Sequence, residues 1–500
     1  MKIKFGVGAL ILALLALGDP ARAAAETQVA RANSASAFAE QGYRELFVDK
    51  KNPQCSDSNP GTEDKPFCTI QKGADAATPG AIVFVKEGVY PEMVKVTKSG
   101  KAGALIKFIA YDNHHVIVNS PSYAGFALFG VEYIKIHGFE LTGAYAAKTP
   151  GIAHGGGIRA FPPDLQDEAD PTSPDNIGVR HSAFTSNVIH ANDAGLWLVG
   201  SHENLIADNV IYNSVEASIR IKRGDGNTIR NNLVFSNGTD ERWGITFYCA
   251  VGTQVVHNTI YEPSGGAVFI YEGTSNLGGA APGSPEYCKP SNKTQVYDNL
   301  MVVTGAGPGG SGSAPLVIGS STTTDRKPIL DQLYGPLDNR YHHNLMYHAA
   351  NPNAAVSWGD FAEVSTFPSY ALLSLEEFQH KHAGYGASSI VADPLFLDPA
   401  HWDFRLASNS PARGAASDGK DLGVDFAALP TFRFGSQWVA QFKDLYPGNP
   451  ANVTAINLRN GVTGELRVVA NPDVIKAFFK TMRLITFAKQ LDQTPRAGYL

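Results

Sequence analysis

The chain is poor in charge, in cysteine and in long apolar runs, and each shortage narrows the field. Past the run Phe5 to Leu17, no segment approaches the roughly 18 uninterrupted apolar residues of a membrane span, so no span is expected. Charged residues make up 18% and hydrophobic residues 43%, the balance of a folded, soluble protein. The net charge of −6 comes without a basic stripe or aromatic-interleaved cations, so nucleic acid is not an expected partner. No Ser-His-Asp or Cys-His arrangement stands out, and Gly224-Asp-Gly226 reads as a turn rather than a phosphate cradle. His202, His257, His342 and His343 sit at turns or beside the repeat asparagines, without a recognisable metal-ligand spacing.

What the chain does have is turns and a repeat. Fifty glycines and 30 prolines point to an all-β protein. Between Asn187 and Gly273 one phrase recurs: Asn187-Val-Ile-His, Asn209-Val-Ile-Tyr, Asn232-Leu-Val-Phe and Asn258-Thr-Ile-Tyr. Each is followed by a second apolar run, Leu196-Trp-Leu-Val, Ile219-Arg-Ile-Lys, Ile245-Thr-Phe-Tyr and Val268-Phe-Ile-Tyr. Two β-branched runs per unit of 22 to 26 residues signal a solenoid of stacked rungs. Looser rungs follow at Asn299 and Asn344, after Gly-, Ser- and Pro-rich insertions at Gly273–Asn292 and Thr304–Ala314. Such insertions usually surround a working face.

The first residues read as an address. Lys2 and Lys4 precede the apolar run, and Ala21-Arg22-Ala23 offers small residues for cleavage, so residues 1–23 are expected to be a signal peptide and the protein secreted or periplasmic; an N-terminal core helix is the alternative. Residues 24–45 read as a flexible lead-in. The cysteines agree with an oxidising compartment, Cys55 pairing with Cys68 and Cys249 with Cys288, against the alternative of four buried thiols. A short helix with Ile70, Gly73, Ala74 and Ala77 on one face would cover the open N-terminal end of the stack. Near the C-terminus, Val474 to Leu491 has helical spacing, fitting a packing helix or a partner- or membrane-surface helix.

Phe47-Val-Asp, Asp57-Ser-Asn-Pro-Gly-Thr, Lys65-Pro-Phe-Cys-Thr-Ile-Gln and Gly88-Val-Tyr resemble the N-terminal signature of secreted right-handed parallel β-helix proteins of the pectate-lyase-like superfamily. Asp393-Pro-Leu-Phe, Asp403-Phe-Arg-Leu and Ser410-Pro-Ala resemble its tail. The likeness implies a right-handed parallel β-helix domain over residues 46–426, with residues 427–500 as a C-terminal extension. It is specific for architecture; lyases, hydrolases and epimerases of polysaccharides share it.

In such a stack, equivalent positions form columns. The asparagines are expected to make a buried amide ladder at a turn. Strand alternation puts Arg159, Trp197, Arg220, Thr246 and Phe269 in one outward row, and Phe161, Val199, Lys222, Tyr248 and Tyr271 beside it. Aromatic faces suit sugar rings and cations suit carboxylates, so Arg159, Trp197, Arg223, Arg242, Phe269, Tyr271 and Glu272 are candidate contacts to an acidic polysaccharide. Packing beneath an insertion is the plainer reading of the aromatics.

β-Elimination from a uronic acid needs a neutralised carboxylate, a base and a proton donor. Arg220 suits the first task, Lys222 the second, if the neighbouring Arg220, Arg223 and Arg230 loosen its proton, and Tyr248 the third. Ile221-Lys222-Arg223-Gly224 resembles the strand bearing the catalytic lysine in family 9 pectate lyases. The chain departs from that family where paired aspartates should precede the strand: Asp193, Asp208, Glu216 and Asp225 are scattered, leaving calcium only possible as a cofactor. The expectation is a secreted, monomeric polysaccharide lyase. Alternatives are a glycoside hydrolase using Glu272 with Asp225 or Glu241, a C5-epimerase, or a non-catalytic glycan-binding protein.

Overall fold

A computed structural model describes residues 44–430, except 150–153, 163–177, 236–242, 263–264, 272–289, 306–313, 321–336, 361–370, 382–383 and 400–401, together with strands Trp438–Ala440, Ile456–Asn460 and Leu466–Val469. The expected signal peptide, the lead-in before residue 44 and the helix at 474–491 lie outside the described residues.

Three ten-stranded sheets, A, B and C, build the fold. One rung shows the plan: Ala183–Thr185 lies in sheet A, Val188–Asn192 in sheet B and Ala194–Val199 in sheet C, before the chain returns to sheet A at Leu205–Ala207. Successive rungs pair in parallel, Phe184 opposite Ile206, Ile189 opposite Ile211 and Leu198 opposite Ile221. The protein is a right-handed parallel β-helix, the hand that parallel crossovers take. Its interior is columns of apolar side chains such as Phe184, Ile206, Ile229, Val255 and Val296, all fully buried. Burying one such side chain is worth about 1.5–3 kcal/mol, so every rung adds its own share of stability. One strand breaks the pattern: Ala371–Leu373 pairs antiparallel to Val356–Asp360 at the end of sheet C.

The tight turn from sheet A to sheet B carries the asparagine ladder. The side-chain amides of Asn187, Asn209, Asn232, Asn258 and Asn299 donate to the carbonyl oxygen of the next asparagine, ending at Asn344, over 2.9–3.1 Å. The residue before each asparagine, Ser186, Asp208, Asn231, His257, Asp298 and His343, has a left-handed backbone with φ between 48° and 59°. A second, shorter ladder through Ser182, Asn204 and Asn227 at the turn from sheet C to sheet A was not expected from the sequence.

Both ends are closed. The helix α1 (Ile70–Ala76), capped by Thr69, buries Ile70, Gly73 and Ala74 in the main core at the N-terminal end, as expected. At the other end α2 (Leu375–Lys381) packs Phe378 against Tyr341 and Tyr385, and Ser374 and Glu377 form a capping box at its start. The hairpin of Phe396–Asp398 and Asp403–Leu406 and the segment up to Leu422 then fold back over the outer face of sheet B, against Tyr261, Leu300 and Leu345.

Cys55 and Cys68 form a disulfide in the N-terminal region. Cys249 is disulfide-bonded too, and its expected partner Cys288 lies outside the described residues. Replacing both Cys55 and Cys68 by Ser should destabilise the N-terminal end by about 3 kcal/mol, the chain-entropy value for so short a loop. A denaturation midpoint unchanged by the double substitution would contradict this.

Sheet B also carries a buried polar cluster. Glu140 receives His190 Nε2 at 2.9 Å and His115 Nε2 at 2.5 Å, and Glu140 and His190 are both nearly inaccessible. Burial alone would push the Glu140 carboxyl up, but the two histidines outweigh it and hold it well below the usual carboxylate range. A depressed carboxyl contributes stability that is complete above its unfolded value, 4.5, and is lost as pH falls below it. Glu140→Gln is therefore expected to cost about 3 kcal/mol at neutral pH, the scale for breaking a buried pair, and to flatten the acid limb of the stability curve. Parallel limbs for wild type and variant below pH 4.5 would refute it.

Candidate functional site on the outer face of sheet C

The register of sheet C is fixed residue by residue. Arg159 pairs with Trp197, Trp197 with Arg220, Arg220 with Thr246 and Thr246 with Phe269. Beside this row, Val199 pairs with Lys222, Lys222 with Tyr248 and Tyr248 with Tyr271. The residues that alternate with them, Leu196, Leu198, Ile219, Ile221, Ile245 and Phe247, fill the core, so both rows face outward.

Facing outward is not the same as being open. Arg159, Trp197, Arg220, Thr246 and Phe269 are all buried, Arg220 being the most exposed of them at 7%. The row packs on itself and its flanks: the Arg220 guanidinium lies 4.3 Å from the Trp197 ring centre, and that of Arg159 lies 3.9 Å from Phe161. His154 lies against Trp197 at 4.5 Å, while Trp243 stacks on Phe269 at 4.7 Å. Stacked cations and rings exclude water from one another, which strand alternation alone does not report. Lys222, Arg223 and Tyr248, at the strand ends, are half-buried and retain accessible surface. Tyr271 is placed by its backbone in strand Gly266–Tyr271; Arg242 and Glu272 lie outside the described residues.

A carboxylate pair missed by the sequence reading sits at the other end of these strands. Asp193 and Glu216 occupy the same position on adjacent rungs, with the Glu216 amide donating to the Asp193 carbonyl at 2.7 Å. Extending the Ala194-to-Ala217 column back by one residue would have aligned them. His154 Nδ1 meets Glu216 Oε1 at 2.5 Å, and Arg220 lies 3.9 Å from Glu216 Oε2. Asp193 Oδ2 accepts from the amides of Ala146 (2.6 Å) and Gly155 (2.9 Å). Burial pushes the Asp193 carboxyl up, the charge of Glu216 adds to this, and the two amides only partly oppose it.

The other expected carboxylates stay apart. Asp208 lies at the A-to-B turn next to the ladder, hydrogen-bonded to Asn231, and Asp225 lies past the C-terminal end of strand Ile219–Lys222, accepting from the Val251 amide. Among the described residues, Asp193, Asp208, Glu216 and Asp225 do not gather into one metal-ligating group. Arg230 belongs to sheet A, paired with Ala207 and Val256, so it does not flank Lys222; intervening turn residues 224–227 carry the chain to another face.

Fold and site together define a right-handed parallel β-helix protein with a cationic and aromatic outer row on sheet C. Residues 171–302 match the family model described as NosD, periplasmic copper-binding protein. The uncharacterised protein YwoF of Bacillus subtilis is 24% identical over 450 residues, covering 72% of this chain and 91% of that one. Pectate lyase PEL9 of Emericella nidulans is 34% identical over 76 residues, 15% of this chain and 18% of that one. Among solved structures, pectate lyase Pel9A aligns with a TM-score of 0.38 at 13% identity, over 77% of this chain and 96% of that one. The complex of XylC with xylose aligns with a TM-score of 0.39 at 13% identity, over 62% and 78%. Among the described residues no helix is long and apolar enough to cross a membrane.

Proposed function

We propose that the protein is an exported polysaccharide lyase that cleaves an acidic, uronate-containing chain by β-elimination on the outer face of sheet C. The observation that carries this reading is the register partnership of Lys222 and Tyr248, two half-buried groups of complementary chemistry on adjacent strands about 4.8 Å apart. Lys222 takes the C5 proton of a uronate. The electron pair forms the C4–C5 double bond as the C4–O4 bond breaks, and the Tyr248 hydroxyl delivers a proton to the leaving oxygen. Arg223, at the turn directly after Lys222, neutralises the substrate carboxylate, which acidifies C5. Arg220 stands behind them, held by Trp197 and Glu216, and acts through its field rather than by contact. Export is supported by the two disulfide-bonded cysteine sites and by the N-terminal residues 1–23.

A hydrolase reading draws on a different observation: Asp193 and Glu216 share a column, and Asp193 is biased toward its protonated form, as a general acid should be. One screen separates the two. Purified protein is incubated with pectate, alginate and glycosaminoglycans, followed both by ultraviolet absorbance of the unsaturated uronide and by reducing ends. Absorbance rising with reducing ends supports the lyase; reducing ends without absorbance would sink it in favour of the carboxylate pair.

A further inference from the structure

We propose that His257, Asp298 and Asp418 hold a first-row divalent cation of the zinc type, which clips the C-terminal segment onto the solenoid. The site lies at the turn between sheets A and B, so it is separate from sheet C and independent of the lyase reading. Three segments far apart in sequence meet there. His257 and Asp298 occupy the same left-handed turn position on adjacent rungs, and Asp418 arrives from the segment that folds back over sheet B. One donor atom from each lies within 4.8 Å of the others, with His257 Nε2 3.6 Å from Asp298 Oδ2 and 3.5 Å from Asp418 Oδ2. Metal–ligand bonds of about 2.0–2.2 Å in a tetrahedral shell require neighbouring donors about 3.3–3.6 Å apart; the two pairs that share His257 Nε2 already have this separation, and the two aspartate donors, within 4.8 Å of each other, need only draw together around the ion.

The supporting contacts also favour a ligand set. Ser417 donates its amide to Asp298 Oδ1 and its hydroxyl to Asp298 Oδ2, each at 2.6 Å, fixing the carboxylate while leaving a lone pair on Oδ2. Asp298 is nearly inaccessible, whereas His257 and Asp418 are 24% and 38% exposed, which gives the ion a way in and a free position for water. One imidazole with two carboxylates suits zinc and its neighbours better than calcium or magnesium, which take oxygen alone. Lys420 Nζ lies 2.9 Å from Asp418 Oδ2 and is the cation a metal would displace; its side chain is 78% exposed and free to swing away.

The test uses tag-free full-length protein stripped with a chelator. Calorimetric titration with Zn²⁺ is expected to show one saturable site, Co²⁺ to give the visible absorption of a four-coordinate centre, and Zn²⁺ to raise the thermal midpoint. Asp418→Asn and His257→Gln should each weaken binding at least tenfold with an unchanged circular dichroism spectrum. Asp298 is left intact because it also anchors Ser417. The proposal is overturned by the absence of saturable binding, by binding that survives both substitutions, by binding lost only on changing His342 and His343 to Gln, or by preference for Ca²⁺ over Zn²⁺.

Discussion

Lys222→Ala is expected to lower the rate of uronide formation by about 10³-fold, the middle of the range for loss of a positioned general base. The substitution should leave the fold intact, because the core on that strand is held by Ile219 and Ile221, while Lys222 points outward and is only half-buried. Tyr248→Phe keeps the ring that packs edge-on to Phe269 at 5.6 Å and removes only the hydroxyl, so a similar loss there would locate the proton donor on the next rung. Arg223→Gln should act mainly through the substrate carboxylate, with a smaller effect on a methyl-esterified substrate. Residual activity within a few fold of wild type in Lys222→Ala would remove the base from the mechanism.

The second large effect is on stability. Asn232 is fully buried; its amide donates to Asn258 Oδ1, Ile206 O and Arg230 O, each at 3.0 Å, and its carbonyl oxygen accepts from Asn209 N and Nδ2. Asn232→Ala strands groups above and below in a place water does not reach, and about 4 kcal/mol is expected from roughly 1 kcal/mol for each of the four residues left without it, Ile206, Asn209, Arg230 and Asn258. Asn232→Asp keeps the shape but sets a carboxylate against three carbonyl oxygens, so it should be at least as damaging. Chemical denaturation followed by circular dichroism measures both. Midpoints equal to wild type would mean that the ladder carries no net stability.

Most of what was legible in the sequence repeats; the capping helix α1 and the Cys55–Cys68 pair were read instead from short local signals. The asparagine ladder follows from its spacing, and the two outward rows follow from strand alternation plus parallel register, which leave no freedom once one rung is aligned. Features that depend on contact between distant segments were invisible. Glu216 meets His154 across 62 residues and Asp298 meets Ser417 across 119, and no periodicity links those pairs. The burial of Arg159 and Trp197 was hidden for a related reason, since alternation says which face a side chain takes and nothing about what stacks over it. The left-handed turn column was readable in principle: Asp, Asn and His are enriched in that conformation, and they fill four consecutive places from Asp208 to Asp298, with His343 after them.

The most direct test of the central reading is where the oxygen goes. Uronate oligomers cleaved in heavy-oxygen water and weighed by mass spectrometry should show no incorporation of solvent oxygen and should carry one unsaturated end per cut, because elimination breaks the C4–O4 bond without adding water. Incorporation of one solvent oxygen per cleavage would contradict the account and move the chemistry from Lys222 and Tyr248 to Asp193 and Glu216.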